Sequence, residues 1–198
     1  YYTFASNEDF NQPLVNWDTS SVTTLEHAFS GASSFNFSNI LDWDVSSILS
    51  FENIFIPATF NEALDNWDVS SVTSLTRAFK HFLVFNQPLY SWDVSSVKSM
   101  FCTFCAKDSL TRGSIEQSEF NNYVGNWDVS SVTTLEQVFF YAQSFNQPIG
   151  DWDVSRVTSL RFAFKGTPFN NPISAWDTSK VQSIEYIFES PTSFNQPL

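Results

Sequence analysis

The stretch FNQPLVNWDTSSVTTLEHAFSGASSFN, from Phe10 to Asn36, has a near copy far along the chain, FNQPIGDWDVSRVTSLRFAFKGTPFN, from Phe145 to Asn170. The pair Phe-Asn occurs eight times, at steps of 24 or 25 residues with a single step of 35. Each of the seven tryptophans is followed by Asp and lies within one of these copies. Such a period is typical of repeat proteins, in which one repeat buries its apolar face only against the next.

The apolar residues within one repeat predict its local structure. Trp67 and Val69 are separated by one polar residue, and this alternation favours a short strand that carries Trp-Asp-Val. Val72, Leu75 and Phe79 follow at spacings of three and four, which favours a helical or 3-10 turn. The sequence therefore predicts a repeat solenoid, leucine-rich-repeat-like, with one short parallel β-strand and one helical or 3-10 turn per coil of about 25 residues.

The repeats account for almost the whole chain of 198 residues. Residues 1–198 are therefore expected to form a single solenoid of seven repeats and the start of an eighth. Tyr1 falls inside a repeat and the chain stops within another, at Leu198, so we expect the chain to be a fragment of a longer protein.

The repeat F-N-Q-P-L-x-x-W-D-V-S-S-V-T resembles the BspA-type leucine-rich-repeat surface proteins of bacteria and some microbial eukaryotes, and the resemblance covers essentially the whole chain. Repeats of that family commonly read V-T-x-M-x-x-M-F. Here the first Met is usually Leu, as at Leu75 and Leu135, and survives only as Met100. The resemblance implies parallel-strand solenoids that are exposed at cell surfaces and serve adhesion and protein contacts. It implies no enzymatic activity.

The composition narrows the classes of function. The formal net charge is -12, with 21 acidic against 9 basic residues, which argues against nucleic-acid binding and against electrostatic docking on anionic membranes. No run approaches the about 20 apolar residues that a membrane-spanning helix needs. With two histidines and no glycine-rich nucleophile elbow, the sequence supports no catalytic triad and indicates neither a cofactor nor a resident metal.

Two columns of equivalent residues are predicted to hold successive repeats together. The asparagine after each core Phe either contacts a polar ligand or, as we favour, forms a buried ladder that bonds the backbone of neighbouring repeats. These residues are Asn11, Asn36, Asn61, Asn86, Asn121, Asn146, Asn170 and Asn195. The tryptophan column is expected to lie in the core, and consists of Trp17, Trp43, Trp67, Trp92, Trp127, Trp152 and Trp176.

A third column consists of the aspartates that follow the tryptophans: Asp18, Asp44, Asp68, Asp93, Asp128, Asp153 and Asp177. On strands about 4.8 Å apart, these carboxylates would repel one another unless something compensates. Calcium between the carboxylates is one alternative. The other, which the lack of a calcium-loop spacing favours, is that each Asp accepts hydrogen bonds from the following D-V-S-S turn.

The fourth repeat contains the one large departure from the period, an insertion between Cys105 and Phe120. Cys102 and Cys105 beside it suit either a local disulfide or two unreactive thiols. Insertions in repeat proteins collect on one face, often the binding face, although a tolerated surface loop is the plainer alternative. We predict that a protein partner contacts this variable edge through Lys107, Asp108, Arg112, Glu116, Phe140, Tyr141 and Phe162.

The competing partner site is the outward face of the strands, with Asp93 and Asp128. Either site fits the favoured function, a non-enzymatic protein-interaction or adhesion solenoid outside the cell or at its surface. One alternative is a rigid structural subunit that braces a larger assembly, in a lumenal or membrane-associated complex. Another is a carbohydrate-binding module, for which exposed aromatic side chains would have to stack on sugar rings.

Overall fold

The computed structural model describes residues 2–35, 37–55, 61–106, 118–189 and 194–198. Regular secondary structure is sparse in these ranges: they contain one 3-10 helix, Phe37–Ile40, but no α-helix and no strand of two or more residues. Successive repeats are instead connected by single parallel β-bridges. The bridged residues, each paired with the next, are Thr24, Ser50, Ser74, Ser99, Thr134, Ser159 and Ser183. The repeats therefore lie side by side and in register, in chain order.

The bridges lie seven residues after each tryptophan, and not at Trp-Asp-Val, where the sequence predicted the strand. That prediction is wrong because the chain turns at this point. The Asp68 carboxylate accepts a hydrogen bond from Ser70 N–H at 3.1 Å, and the Val69 carbonyl accepts one from Val72 N–H at 2.9 Å. Backbone groups that are used within this turn cannot pair with a neighbouring repeat, so pairing begins after it.

From the bridge onward, every second peptide group bonds to the next repeat. After Thr134, the N–H groups of Leu135, Gln137, Phe139 and Tyr141 donate to the carbonyls of Ser159, Arg161, Ala163 and Lys165, at 2.8 to 3.1 Å. The same four bonds recur after Ser74, Ser99 and Ser159. Because all of these N–H groups point toward the following repeat, the peptide groups align with the direction of stacking. Backbone bonds between repeats thus replace those that helices and long strands would supply.

The core consists of apolar columns that run from repeat to repeat. The late Phe of one repeat stacks on the Phe of the following Phe-Asn pair, as Phe79 does on Phe85 and Phe164 on Phe169, with ring centroids 4.9 and 4.4 Å apart. All four of these rings are buried. Such pairs contribute about 0.5–1.5 kcal/mol each beyond the burial of their area.

Six of the seven tryptophans are buried, and their indole N–H groups bond to the preceding repeat. Trp127 is 3% exposed and donates to the Leu89 carbonyl at 2.9 Å. Equivalent bonds of 3.0 to 3.2 Å are made by Trp43, Trp67, Trp92, Trp152 and Trp176. Trp17 is 50% exposed, so its predicted core position is wrong. The bonds of the buried indoles span 26 to 38 residues of the chain.

The asparagines also form a ladder, but at the surface. The Asn121 Oδ1 atom accepts a hydrogen bond from Asn146 N–H at 2.9 Å, and Asn146 Oδ1 accepts one from Asn170 N–H at 2.9 Å. The same bond joins Asn61 to Asn86, Asn86 to Asn121, and Asn170 to Asn195. None of these side chains is buried, so the predicted burial is wrong, and Asn36 lies outside the described residues. A bond to a backbone N–H on the next repeat does not require burial.

Candidate interaction surface

A tight turn follows each β-bridge, where the sequence predicted a helical or 3-10 turn. In the fifth repeat the Leu135 carbonyl accepts a hydrogen bond from Val138 N–H at 3.1 Å, and Gln137, the third residue of the turn, has a φ of 59°. Positive φ at the third residue only is characteristic of a type II turn. The described residues contain no helix in this part of any repeat, so the prediction is wrong.

The middle peptide group of this turn explains why the chain does not continue as a helix. Its carbonyl, on Glu136, accepts a hydrogen bond from Cys102 N–H of the preceding repeat at 3.0 Å, and its N–H, on Gln137, donates to Arg161 of the following repeat at 2.9 Å. In a helix both groups would bond within the segment. The two bonds between repeats offset the strain of a left-handed residue that carries a side chain.

The third residues of these turns form a column, which we call the left-handed column. Its members have φ between 53° and 59° and are His27, Asn53, Arg77, Cys102, Gln137, Phe162 and Tyr186. All seven are of different residue types, although non-glycine residues are uncommon at positive φ. The backbone is therefore constant along this column, while the side chains that it presents change with every repeat.

Accessibility and contacts vary along the left-handed column. Gln137 is 3% exposed, whereas Tyr186 is 57% exposed. Phe162 stacks on Tyr186 with ring centroids 5.1 Å apart, and Asn53 Nδ2 lies 3.3 Å from His27 Nε2. The side chains of neighbouring repeats thus touch one another. Tyr186 is the exposed member of the column, and the buried members are Asn53, Cys102, Gln137 and Phe162.

Two cations accompany the exposed end of the column. The Arg161 guanidinium lies 4.6 Å from the centroid of the Phe162 ring. Lys165 Nζ lies 5.2 Å from the same ring and 5.6 Å from the ring of Tyr186, and it forms an ion pair with Glu189. Cation–π contacts of this kind are worth about 0.5–1 kcal/mol at exposed sites. We refer to Arg161, Phe162, Lys165 and Tyr186 as the cationic–aromatic patch.

Two aromatic residues predicted to contact a partner are buried. Phe140 and Phe162 are 4% and 9% exposed, and they form a hydrophobic cluster with Cys102 and Cys105. Tyr141, also predicted to contact a partner, packs against this cluster and is half-buried. The prediction that Phe140 and Phe162 offer an exposed surface is wrong, because apolar side chains of neighbouring repeats cover each other.

Tyr141 reaches its position because the next repeat has no side chain there. A Cβ atom on Gly166 would lie 2.6 Å from Tyr141 Cδ1, closer than real contacts allow. Gly166 also has a φ of 75°, which glycine adopts at little cost.

The remaining predicted partner contacts, Lys107, Asp108, Arg112 and Glu116, lie outside the described residues. The chain is described up to Ala106 and again from Ser118, and both of these residues are buried. Ala106 N–H donates to the Phe140 carbonyl at 2.9 Å, so the insertion begins beside the cluster that contains Phe140. The role of the insertion in partner binding stays a prediction.

Cys102 and Cys105 are joined by a disulfide bond, which decides between the two alternatives that the sequence left open. The bond closes a turn in which the Cys102 carbonyl accepts a hydrogen bond from Cys105 N–H at 3.4 Å. Both residues are fully buried. The disulfide therefore constrains the repeat that carries the insertion.

The aspartate column is organised by local hydrogen bonds. In each of the seven repeats the Asp Oδ1 atom accepts from the backbone N–H two residues later, at 3.0 to 3.1 Å. The Ser130 hydroxyl and then the Ser130 N–H hold the pKa of Asp128 below its ordinary value, and Ser155 acts likewise on Asp153. Among the described residues, no group of His, Cys, Asp or Glu side chains is arranged to hold a metal ion.

No helix within the described ranges is long and apolar enough to span a membrane.

The in-register bridges and the left-handed column define a repeat protein with a constant backbone and one variable strip of side chains. A family model described as "Mycoplasma protein of unknown function, DUF285" matches residues 1–113 and 108–198. The chain belongs to this family. No curated protein and no solved structure shows significant similarity to it.

The sequence pattern pointed to the variable positions after each bridge, but it missed their geometry. Lys165 was not singled out, although it faces both rings of the cationic–aromatic patch. A signal was present: Arg161 and Lys165 are two of only 9 basic residues and stand four apart around Phe162. The sequence predicted a helical turn in this segment from the spacing of the apolar residues Leu160 and Phe164.

Proposed function

We propose that the chain is a non-enzymatic protein-interaction or adhesion module, built as a leucine-rich-repeat-like solenoid of the BspA type. The in-register bridges and the peptide groups that bond along the stacking direction support the solenoid. The repeat F-N-Q-P-L-x-x-W-D-V-S-S-V-T supports the BspA type. In this proposal residues 1–198 form one array of seven repeats and the start of an eighth.

The exposed end of the left-handed column, at Tyr186, carries the functional part of the proposal, since four other members of the column are buried. One backbone conformation, with φ between 53° and 59°, presents seven different residue types in seven repeats. A column that served only to pack the repeats would reuse one residue, as the tryptophan column does. Variation on a constant scaffold is how repeat proteins present a specific surface to a partner.

The cationic–aromatic patch is the proposed centre of that surface. Tyr and Arg are enriched where protein interfaces are fully buried, and Tyr186 is 57% exposed here. Arg161 and Lys165 form ion pairs with Glu136 and Glu189, so their charges are balanced within the protein. The partner is therefore expected to be a protein with an apolar or aromatic surface that packs on Tyr186, and the net charge of -12 disfavours a nucleic acid.

The disulfide supports an oxidising location for the protein. Disulfides persist outside the cell, at its surface and in the lumen of the secretory pathway. We propose the extracellular side or the cell surface, with a lumenal complex as the alternative.

Site-specific photo-crosslinking in the cells that make the protein tests the proposal. Tyr186 is replaced by the photoreactive amino acid p-benzoylphenylalanine, and a matched protein carries it in place of Tyr90. Both tyrosines are 57% exposed, but Tyr90 lies outside the left-handed column. The proposal expects a discrete crosslinked protein from position 186 and none of the same mass from position 90. Equal products from both positions, or none from either, would overturn it.

A rigid structural subunit is the second candidate. It is favoured by apolar side chains outside the left-handed column that stand in solvent: Val15, Leu49 and Ile184 are 55%, 49% and 62% exposed. A brace inside a larger assembly would cover them. Native mass spectrometry of the protein isolated from its source distinguishes the two functions. Stoichiometric retention in one assembly supports the brace, and a largely free protein supports the interaction module.

A further inference from the structure

A shallow groove of about 330 Å³ lies in the segments that precede the tryptophans of the fifth, sixth and seventh repeats. The residues that shape it are Tyr123, Pro148, Gly150, Asp151, Pro172 and Ser174. None of them belongs to the left-handed column or to the aspartate column, and the proposed interaction surface does not use them. The groove is therefore separate from that surface and does not depend on the proposed function.

The ring of Tyr123 forms one part of the groove. A Cβ atom on Gly125 would lie 2.6 Å from Tyr123 Cε2 and 2.9 Å from Cζ, so the ring rests directly on the glycine backbone. The residue is nevertheless 45% exposed. The equivalent positions of the next two repeats hold Pro148 and Pro172. Tyr123 thus offers a flat aromatic platform, supported from below and open to solvent above.

Two glycines allow close backbone contacts at the base of the groove. A Cβ atom on Gly150 would lie 2.6 Å from the Pro172 carbonyl oxygen, and one on Gly125 would collide with the Pro148 carbonyl oxygen. In the first and fourth repeats the same position holds Val15 and Tyr90. The glycines of the fifth and sixth repeats therefore let the Pro148 and Pro172 carbonyls approach the chain closely.

The groove is rich in hydrogen-bond acceptors that lack donors. Within the parts of the chain that the structure describes, neither the Pro148 nor the Pro172 carbonyl accepts a hydrogen bond, and the Asp151 carboxylate accepts none. Asp151 is exposed. A ligand that fits this set must carry several donors close to an apolar face.

We propose that Tyr123, Gly150 and Asp151 form a binding subsite for an uncharged saccharide. The C–H face of a sugar ring stacks on the π face of Tyr123, and its hydroxyl groups donate to Asp151 and to the Pro172 carbonyl. A proline-rich peptide would also stack on the ring, but proline has no N–H to donate to these acceptors. The net charge of -12 disfavours anionic sugars.

Isothermal titration with cellohexaose, laminarihexaose and mannohexaose tests the proposal. Titration with sugar at about 5 mM detects dissociation constants in the millimolar range. At least one of the three sugars is expected to show saturable binding. Tyr123→Ala is expected to weaken this binding about tenfold, as the loss of one stacked ring would. Tyr123→Phe keeps the ring and is expected to bind like the parent protein, and Asp151→Ala is expected to bind more weakly.

The matched control is Tyr90→Ala, which removes an exposed tyrosine outside the groove and should leave binding unchanged. If Tyr123→Ala does not fold, as judged by its circular dichroism, the proposal is tested by comparing the sugar affinity of Asp151→Ala with that of the parent protein. Absence of binding to all three sugars overturns the proposal, as does binding that neither Tyr123→Ala nor Asp151→Ala weakens. Preferential binding of a decaproline peptide overturns it in favour of a peptide groove.

Discussion

The indole N–H of Trp127 donates a 2.9 Å hydrogen bond to the carbonyl oxygen of Leu89, which lies 38 residues earlier in the chain and one repeat away. In the other repeats the same bond spans 26 to 29 residues. The insertion therefore lengthens the chain between the fourth and fifth repeats without changing their register. One indole bond in each repeat from the second to the seventh, together with the peptide groups after each bridge, maintains that register along the array.

Truncation of Trp127 tests the contribution of this column to stability. Trp127→Ala should lower the free energy of unfolding by about 3–5 kcal/mol, because it removes a large buried side chain. Trp17→Ala is the matched control and should cost little, since Trp17 is 50% exposed. Urea denaturation measures both. Equal midpoints for Trp127→Ala and the parent protein would place Trp127 outside the core.

The asparagine ladder can be tested by removing its acceptor. Asn121→Ala leaves Asn146 N–H without the side-chain oxygen that lies 2.9 Å away, and should cost about 1 kcal/mol, the typical net value of one hydrogen bond. Asn121→Asp retains an acceptor of the same shape and should cost less. If Asn121→Ala unfolds at the same urea concentration as Asn121→Asp and the parent protein, the Oδ1 acceptor contributes nothing to stability.

The left-handed column predicts an unusual order of stabilities. Gln137 has a φ of 59°, and its buried Oε1 atom has no partner within the described residues. Gln137→Gly should be more stable than Gln137→Ala by about 1 kcal/mol, because only glycine adopts this conformation without strain. At an ordinary position alanine would be the more stable of the two. A more stable alanine variant in thermal unfolding would contradict the positive φ.

The aspartate column predicts a loss of stability in acid. The pKa of Asp128 and that of Asp153 are lowered, mainly by serine hydroxyl donors and then by backbone N–H groups. Carboxylates of this kind stabilise the fold above the ordinary Asp pKa of about 3.9, and the stabilisation is lost as pH falls through the lower folded-state pKa. Asp128→Asn with Asp153→Asn should flatten this acid limb in urea titrations at several pH values. If the stability of the variant falls with pH as steeply as that of the parent protein, these two carboxylates do not cause the loss of stability in acid.

Reduction of the disulfide should destabilise the fourth repeat. Cys102 and Cys105 are three residues apart, and closing so short a loop removes about 2 kcal/mol of unfolded-state entropy in the chain-entropy model. Dithiothreitol should therefore lower the denaturation midpoint of the parent protein. The double variant Cys102→Ser with Cys105→Ser should start from the lower midpoint and not respond to the reductant. An equal response of both proteins would mean that the reductant acts elsewhere.

Local and strictly periodic features could be predicted from the sequence. Hydrogen bonding of Asp68 to Ser70 depends on residues two apart, so the D-V-S-S pattern is enough to indicate it. The inward position of Trp127 follows from its recurrence with apolar neighbours. A periodic pattern gave a wrong prediction where it is compatible with two local structures. Apolar spacings of three and four predicted a helical turn, but the chain forms a type II turn around Gln137.

The repeat, its period and the residue types that form each column can be predicted from the sequence alone, because they recur in every repeat. The tertiary structure alone decided where neighbouring repeats pair, which residues become left-handed and which columns reach solvent. The physical reason is that these features depend on bonds between repeats, such as the one from Gln137 N–H to the Arg161 carbonyl, 24 residues later. The two partners of such a bond belong to different repeats, so its effect on the backbone appears only when the repeats are stacked.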